Sequence, residues 1–394
     1  MRVPRVPSFL TLALLGVSGC GGGPSEPGGP NGEFRLGTVT SLSAGDNSTC
    51  AVNSLSELYC WGENGFGQLG DGTTIDRSTP VALAGPQIDF VLVRAGNHAC
   101  GITKTLGTHC WGEGSGGQLG NQATASSPIP VRVAGGFTFP YSIVDVGGSS
   151  CAQAETIYCW GPNDQGQLGT GDLVSRTVPT PVVNKPVFGP VSVGGRTACA
   201  VDGMTSSAVC WGNGADGELG TGNFGVNSSV PVTVSGDQTY LEIDVGGASD
   251  GPGTVCAVST NHQAYCWGWN GSGQLGDGTS ERRSTPVPVG TGLEFRSITV
   301  GHTHACGVTL DGVAYCWGAA GLLGTGTGDG SLVPVPVAGG LRFVELTAGA
   351  RHTCGIDQEL LRAYCWGSND SGQLGDRTTV DRLTPVRVAG QNSN

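Results

Sequence analysis

Positive charge is scarce in this chain. Its 19 lysines and arginines face 31 aspartates and glutamates, which gives a formal net charge of −12. Proteins that bind nucleic acid use Lys and Arg to displace counterions from the phosphates. The deficit therefore excludes nucleic acid as an expected partner.

Long apolar runs and helical patterns are missing as well. The apolar run near the N-terminus covers residues 9–15, far short of the ~20 residues that span a membrane. The 71 glycines and 22 prolines favour short strands and tight turns, because both residues punctuate strands and are avoided in helix interiors. No Ser/His/Asp arrangement, metal-binding spacing or phosphate loop is recognisable, so we expect no cofactor, no metal and no enzymatic activity.

What the chain does contain is a repeat. The tripeptide Cys-Trp-Gly occurs seven times, and its cysteines are separated by 50, 49, 51, 56, 50 and 49 residues. A fixed period near fifty indicates a repeat architecture, in which each unit buries its apolar face against its neighbours.

Each repeat contains four short strand-like segments. Residues 295–300 alternate in polarity, residues 305–308 carry the first cysteine of the repeat, and residues 314–318 carry Cys-Trp-Gly. A Gly-rich loop leads to a Pro-containing fourth segment such as residues 285–289, which we expect at a sheet edge because proline cannot donate to a ladder. Seven four-stranded antiparallel units predict an all-β, seven-bladed β-propeller over residues 37–390, closed by residues near 38–44 beside residues near 384–389.

Fourteen of the 15 cysteines fall into seven local pairs. Cross-strand neighbours in a hairpin lie within the Cα separation that a disulfide needs. Metal ligation is the alternative, but no pair has the short spacing of zinc sites. We predict one hairpin disulfide per blade: Cys50 with Cys60, Cys100 with Cys110, Cys151 with Cys159, Cys199 with Cys210, Cys256 with Cys266, Cys306 with Cys316, and Cys354 with Cys365.

The remaining cysteine, Cys20, follows a segment typical of export. Residues 1–19 combine two arginines, an apolar run and small residues, as a signal peptide does. The ending Val17-Ser18-Gly19-Cys20 resembles the lipobox of bacterial lipoproteins, which implies cleavage before Cys20 and lipidation of its sulfur. An ordinary cleaved signal with an incidental cysteine is the alternative. Residues 20–36 then form a flexible Gly/Pro tether, and we expect the protein to be exported, lipid-anchored in the bilayer and located in the bacterial cell envelope.

The repeat also supports a family resemblance. Ala-Tyr-Cys-Trp-Gly, Gly-Gln-Leu-Gly and Thr-Pro-Val-Pro-Val at this period resemble the regulator of chromosome condensation repeat family, whose fold is a seven-bladed propeller. Repeat six departs from the pattern in residues 319–324, a shortened loop without Gln, and repeat five carries an insertion around residues 249–253. We expect both departures to change loops only, and the seven repeated Trp side chains to pack between blades.

The resemblance leaves the function open. The nuclear member exchanges guanine nucleotides on a small GTPase and binds chromatin, which the export signal and negative charge make an unlikely activity here. Relatives with this propeller also bind proteins through loops on one face of a rigid disc. We therefore expect a non-enzymatic, membrane-tethered scaffold that binds an unknown protein or glycan. An exported hydrolase or lyase with a site at the channel mouth is the alternative, which carboxylates converging in one pocket would favour.

Several polar residues recur in the repeats. Three histidines each precede the first cysteine of a pair by two residues, and they either converge as metal ligands or, as we expect, hydrogen-bond within their own blades: His98, His304 and His352. Four recurrent acids are interpreted as turn or strand-end residues: Asp71, Asp277, Asp145 and Asp244. Asp145 and Asp244 alternate with apolar neighbours, as residues on a solvated face do.

Two aromatic residues stand out in the Gly-rich loops. Most copies of this loop carry small or polar residues, whereas Phe66 and Trp269 are aromatic. Rigid scaffolds carry specificity on loops, and exposed aromatics are common anchors of protein interfaces. We predict Phe66 and Trp269 as partner-binding residues, with the insertion at residues 249–254 as a further contact. The alternative is that each ring folds back onto its own blade.

Overall fold

The computed structural model describes residues 36–135, 144–154, 156–184, 189–247, 251–290 and 292–391, apart from the side chains of 144–146. All regular structure in these ranges is β-strand, in seven four-stranded antiparallel sheets. No helix in the described ranges is long and apolar enough to cross a bilayer. The predicted signal peptide, Cys20 and nearly all of the predicted tether lie outside the described residues.

Each repeat forms one sheet, or blade. Blades 1 to 4 consist of β1 (Val39–Ala44), β2 (Ser48–Asn53), β3 (Leu58–Gly62) and β4 (Arg77–Ala82); β5 (Phe90–Ala95), β6 (His98–Thr103), β7 (Thr108–Gly112) and β8 (Ser127–Arg132); β9 (Val144–Val146), β10 (Ser150–Gln153), β11 (Ile157–Gly161) and β12 (Arg176–Pro181); β13 (Val191–Gly194), β14 (Thr197–Val201), β15 (Ala208–Gly212) and β16 (Ser228–Thr233). Blades 5 to 7 consist of β17 (Tyr240–Gly247), β18 (Gly253–Ser259), β19 (Ala264–Gly268) and β20 (Arg283–Pro288); β21 (Phe295–Val300), β22 (His304–Thr309), β23 (Ala314–Gly318) and β24 (Ser331–Pro336); β25 (Phe343–Ala348), β26 (His352–Asp357), β27 (Ala363–Gly367) and β28 (Arg382–Arg387).

The first strand of every blade is innermost. Strand order within each sheet follows the chain, and the first strands contact one another around the ring, from β1 through β5 and the others to β25 and back to β1. The Pro-containing fourth strands are therefore the outer edges, as predicted. The all-β, seven-bladed propeller predicted from the repeats is confirmed.

The two ends of the ring meet by packing and not by strand pairing. The Leu36 N–H donates to the Gly390 carbonyl at 3.0 Å, and Val39 and Leu42 share a core cluster with Val388. Strands β1 and β28 nevertheless belong to different sheets. Since each repeat supplies all four strands of its blade, closure needs no exchanged strand.

The cysteine pairs form seven disulfides, one in each blade. Paired cysteines lie directly opposite each other on the second and third strands, as Cys50 and Cys60 do in β2 and β3. Their Cα atoms are 4.0–4.1 Å apart in all seven, close to the spacing of non-hydrogen-bonded antiparallel pairs. The predicted hairpin disulfides are confirmed, because each of the fourteen paired cysteines has its predicted partner: Cys50 is bonded to Cys60, Cys100 to Cys110, Cys151 to Cys159, Cys199 to Cys210, Cys256 to Cys266, Cys306 to Cys316, and Cys354 to Cys365.

The repeated tryptophans fix the contact between blades. Each indole is fully buried, and Trp111, for example, packs against Cys50, Cys60 and Leu69 of blade 1. Its Nε1 donates to the Gln68 carbonyl at 2.9 Å. The same bond to the Gly-rich loop of the preceding blade is made by Trp61, Trp160, Trp211, Trp267 and Trp317.

Candidate functional site

The strand order divides the connections between two faces of the disc. The turn after each first strand and the Gly-rich loop after each third strand lie at one end of the strands, and we call this side the loop face. The turn after each second strand and the connection between blades lie at the other end, the hairpin face. All seven Gly-rich loops therefore emerge on one face, together with one mouth of the central channel.

Phe66 is exposed on a rigid loop. Its side chain is 42 % exposed, and its N–H donates to Gln68 Oε1 at 2.9 Å. The Gln68 carbonyl in turn accepts the indole N–H of Trp111. The ring is thus presented to solvent by a loop that is anchored to the next blade.

Trp269 is placed differently. Its indole is half-buried and lies against Gly271 of its own loop, where an added Cβ would come within 2.5 Å of the ring. The Trp269 N–H donates to the Gly253 carbonyl at 2.8 Å, and its carbonyl accepts from Thr254 Oγ1 at 2.8 Å. The structure therefore places Trp269 beside the predicted insertion, but in blade 5 and apart from Phe66 in blade 1.

The insertion connects β17 to β18 on the loop face. The sequence analysis did not assign the insertion to either face of the disc. Residues 248–250 of the insertion lie outside the described residues. The Gly253 N–H at its end donates to Glu218 Oε1 at 3.2 Å. Burial raises the pKa of Glu218, which stands where most other blades carry Gln, and backbone N–H groups oppose that rise.

The sequence analysis missed a third aromatic on this face, Phe224. It is 43 % exposed, and the Arg282 guanidinium of blade 5 lies 4.7 Å from its ring centroid. Arg282 also pairs with Asp216 at 2.9 Å. An aromatic residue in the Gly-rich loop was the available signal, but Phe224 lies after Gly-Glu-Leu-Gly, in the part of the loop that varies in length.

Exposed aliphatic side chains lie on both faces. The loop face carries Ile75, Leu173, Val174, Val226 and Val380, and the hairpin face carries Leu55, Met204, Leu310 and Leu360 on its turns. Exposed aromatic rings are confined, within the described ranges, to the loop face. Single exposed aliphatics are ordinary, whereas exposed aromatics are more informative about binding.

The recurrent acids Asp71 and Asp277 brace the Gly-rich loops, as their interpretation as turn residues requires. Asp71 pairs with Arg77 at 2.8 Å, and Asp277 pairs with Arg283 at 2.8 Å. Burial alone would raise the pKa of Asp71, but hydrogen bonds from Thr73, Arg77 and Asn64 outweigh it and hold the pKa below its usual value. Ion pairs and hydrogen bonds therefore brace these loops internally.

Asp244 is half-buried and lies in the middle of β17, where it alternates with the buried Ile243 and Val245, which corrects its interpretation as a turn or strand-end residue. It lies on the innermost strand β17, where its carboxylate accepts the Val300 N–H at 2.7 Å and the Ser192 hydroxyl at 2.9 Å. Hydroxyls do the same elsewhere: Thr347 accepts the Ala44 N–H at 3.0 Å. An innermost strand has no neighbouring strand on its channel side, so its N–H groups there lack backbone partners. In these examples a side chain of a neighbouring blade accepts the hydrogen bond instead. The Asp145 side chain lies outside the described residues.

Carboxylates do converge in the channel. Burial raises the pKa of Glu242 to about 8; the Ile298 N–H and Arg94 oppose the rise, and the carboxylates of Asp244 and Glu345 add to it. Burial also raises the pKa of Glu345, with Arg94 opposing. This grouping is the feature that would favour an enzyme.

The channel mouth on the loop face is narrow. Its cavity measures about 60 Å³ and is lined mostly by glycines such as Gly45, Gly301 and Gly349. A Cβ on Gly349 would collide with the Gly45 carbonyl, and the His302–Asp46 pair at 3.3 Å lies at the same mouth. Small-molecule sites usually measure about 300–1,000 Å³, so this mouth is smaller than an ordinary ligand pocket.

The three recurrent histidines connect neighbouring blades, and the prediction that they bond within their own blades is wrong. His98 Nε2 lies 2.6 Å from Ser150 Oγ of blade 3, and His304 and His352 make the same contact with a threonine of the next blade. Burial lowers the pKa of His98 to about 4 and of the other two to about 3. In the part of the chain that the structure describes, no three His, Cys, Asp or Glu side chains form a metal-binding group.

Comparisons with solved structures agree with this fold. Human WBSCR16 superposes with a TM-score of 0.74 at 20 % identity, over 84 % of this chain and 94 % of that one. Prp20p from Saccharomyces cerevisiae, studied for its binding to Gsp1p and histones, gives 0.70 at 18 % identity, over 84 % and 83 %. At these identities the likeness concerns the fold alone.

The chain is also similar in sequence to two curated proteins. The ultraviolet-B receptor UVR8 of Arabidopsis thaliana is 30 % identical over 201 residues, which are 50 % of this chain and 33 % of that protein. The human E3 ubiquitin-protein ligase HERC2 is 30 % identical over 123 residues, 31 % of this chain and 2 % of that protein. The matches thus span a third or less of these relatives.

The profile of the Regulator of chromosome condensation (RCC1) repeat matches residues 56–102, 155–201, 261–308, 311–356 and 362–394, and a second profile of the same description matches residues 39–68. Together these segments cover more than half of the chain. With the seven-bladed ring, they show that the chain belongs to the RCC1 repeat family.

Proposed function

We propose that this protein is a non-enzymatic, membrane-tethered scaffold of the cell envelope that binds a protein partner through its loop face. The observation that carries the proposal is the placement of Phe66 and Phe224 on that face, 42 % and 43 % exposed. Aromatic side chains on a rigid support lose little entropy on binding and often dominate interface energy. Trp269, half-buried at the insertion, is the third member of this surface.

The position of the tether supports the same face. Leu36 precedes β1 at the hairpin face, beside Gly390. A lipid on Cys20, with the tether that the sequence predicts, would therefore attach the propeller to the bilayer at its hairpin face. The loop face would point away from the membrane and remain open to partners.

The enzyme alternative rests on the channel carboxylates. Glu242 and Asp244 accept backbone N–H groups of blade 6, which is a structural use, and the mouth of about 60 Å³ is smaller than an ordinary ligand pocket. Relatives described as binding proteins, such as Prp20p with Gsp1p and histones, also favour the scaffold. A glycan partner is the other outcome that the experiment below separates.

The test is site-specific photo-crosslinking in cells that produce the full-length chain. A photo-reactive amino acid is placed at position 66 or 224 on the loop face, or at position 55 or 204 on the hairpin face, where Leu55 and Met204 are 65 % and 77 % exposed. We expect a discrete protein adduct from the first two positions and none from the control positions. Phe66→Ser with Phe224→Ser should abolish the adduct formed through a probe at Ile75, without lowering the melting temperature.

Adducts from the hairpin face alone would contradict the proposal. So would a loop-face adduct that is a glycan, or an unfolded double variant, because the rings would then be core residues. Turnover of a substrate that is lost on Glu242→Gln would establish the enzyme alternative instead.

A further inference from the structure

The negative charge of the protein is concentrated on the loop face. The described turns and loops of that face contain fifteen carboxylates and eight arginines, when the first residue of each fourth strand is included. The equivalent count on the hairpin face, with the residue that ends each fourth strand, gives seven carboxylates and five cations. The asymmetry places the excess on the face that carries the aromatic side chains.

Internal ion pairs neutralise most of the arginines of the loop face. Six of the eight pair with loop-face carboxylates, at 2.6–3.2 Å. Arg351 and Arg377 are the two outside these pairs, against nine remaining carboxylates. An unbalanced negative surface therefore faces solvent.

Two loops of this face have the same tip. Blade 1 carries Thr-Thr-Ile-Asp-Arg at residues 73–77, and blade 7 carries Thr-Thr-Val-Asp-Arg at residues 378–382. In both, an exposed aliphatic side chain, Ile75 at 61 % and Val380 at 59 %, precedes an exposed aspartate. The corresponding tips of blades 3 and 5 have Val-Ser and Glu-Arg, so among these four loops the order aliphatic–Asp–Arg is found in blades 7 and 1.

The two tips lie on adjacent blades and are held by hydrogen bonds. The Arg377 N–H of blade 7 donates to the Ser78 carbonyl of blade 1 at 2.9 Å. Asp76 Oδ1 accepts the Asn64 N–H, and Asp381 Oδ1 accepts the Asn369 N–H, each at 2.8 Å. One carboxylate oxygen of each aspartate thus accepts a hydrogen bond from the backbone of its own loop, while the side chain as a whole remains exposed to solvent.

We infer that the loops of blades 7 and 1 form a docking surface for a cationic protein segment in which basic and apolar side chains are interspersed. The inference rests on the proposed function and specifies its partner. Apolar side chains of the partner cover Ile75 and Val380, and its Lys or Arg side chains approach Asp76 and Asp381. Complementary charge favours encounter and selects against acidic partners, including anionic membrane surfaces.

The test uses the full-length protein and two labelled 14-residue peptides of alternating Lys/Val or Glu/Val, with binding followed by fluorescence anisotropy. Asp76→Asn with Asp381→Asn keeps an Oδ1 acceptor for each N–H and removes both charges. Asp89→Asn with Asp237→Asn makes the same charge change on the hairpin face. We expect the Lys/Val peptide to bind, and its affinity to fall by about tenfold at low salt in the loop-face variant only.

A second pair of variants separates charge from apolar contact. Ile75→Ser with Val380→Ser should weaken the Lys/Val peptide as well, whereas Leu55→Ser with Leu360→Ser should not. Equal binding of the Glu/Val peptide, equal losses from both faces, or no binding of the Lys/Val peptide would overturn the inference. If a probe at position 66 still captures a protein in cells and Asp76→Asn with Asp381→Asn leaves that capture unchanged, this inference fails while the proposed function stands.

Discussion

His352 of blade 7 and Thr49 of blade 1 close the ring, with His352 Nε2 lying 2.9 Å from Thr49 Oγ1. Thr49 Oγ1 donates its own proton to the Gln373 carbonyl at 2.9 Å, so it accepts from a protonated Nε2. His352 Nδ1 is then an unprotonated nitrogen, and it is buried with no hydrogen-bond partner among the described residues. The neutral imidazole is therefore part of the folded state.

The first prediction concerns stability in acid. The pKa of His352 is about 3 in the folded protein, against about 6.5 when unfolded. Between these values the unfolded chain binds the extra proton, so stability falls as pH falls, by up to about 1.4 kcal/mol per pH unit for each such group. His352→Gln keeps a donor for Thr49. Between pH 6.5 and 4.5, the number of protons taken up on unfolding, which sets the slope of unfolding free energy against pH, should be smaller by about one in this variant.

Denaturant unfolding at several pH values measures that slope. His262→Gln is a matched control, because His262 is only partly buried, with Nδ1 3.2 Å from the Phe295 carbonyl oxygen. An unchanged slope in His352→Gln would show that its imidazole can charge within the fold.

The second prediction has the opposite sign. The pKa of Glu242 is raised from 4.5 to about 8, so the folded state holds a proton that the unfolded state has lost between these values. Stability contributed by this group is fully present below about pH 4.5 and is lost as pH rises to about 8. Glu242→Gln retains an acceptor for the Ile298 N–H and should lose less stability than the wild type between pH 6 and 8.5.

Chemical denaturation at pH 6 and pH 8.5 provides the comparison, with the exposed Glu294→Gln as the control that should behave as the wild type. A variant that loses as much stability as the wild type over this interval would place Glu242 in its ordinary ionised state.

The sequence predicted what lies within a blade and little of what lies between blades. Spacing of Cys50 and Cys60 defines a hairpin register, so their disulfide and the fourfold strand pattern followed directly. The partner of His352 depends on the angle between two sheets, which no repeat spacing encodes, and the interpretation of its contacts was wrong for that reason. Glu242 and Glu345 are about a hundred residues apart and meet only because seven inner strands surround one channel.

The candidate site shows the same limit. Phe66 was visible as an aromatic residue in an otherwise small and polar loop. Phe224 was missed because loop length varies after Gly-Glu-Leu-Gly, and Trp269 was singled out although its ring packs on its own loop. Exposure depends on how a loop folds back, which composition does not determine.

The third prediction tests the membrane anchor. Lipidation of Cys20 would place several acyl chains on the mature N-terminus, and two or more chains give stable anchoring. Cys20→Ser should move the protein from the membrane fraction to the soluble envelope fraction, with the melting temperature of the propeller unchanged. Membrane fractionation followed by mass spectrometry of the N-terminal peptide decides the matter. An unmodified N-terminal peptide, or unchanged membrane association of Cys20→Ser, would exclude lipidation.

The last prediction compares two tryptophans. Trp317 Nε1 donates to the Gln274 carbonyl at 2.8 Å, whereas Trp366 Nε1 is buried without an acceptor in the described part of the chain. We attribute the difference to the shortened loop of blade 6, in which Leu322 stands at the position of Gln and its carbonyl accepts no hydrogen bond from the indole. Phe in place of either Trp removes similar apolar volume, but only Trp317→Phe also breaks a hydrogen bond and leaves a buried carbonyl unpaired. Trp317→Phe should therefore cost about 1 kcal/mol more unfolding free energy than Trp366→Phe, as measured by denaturant titration at pH 7. Equal losses would mean that the Trp366 indole finds an acceptor in solution, and a larger loss for Trp366→Phe would refute the account of the blade 6 loop.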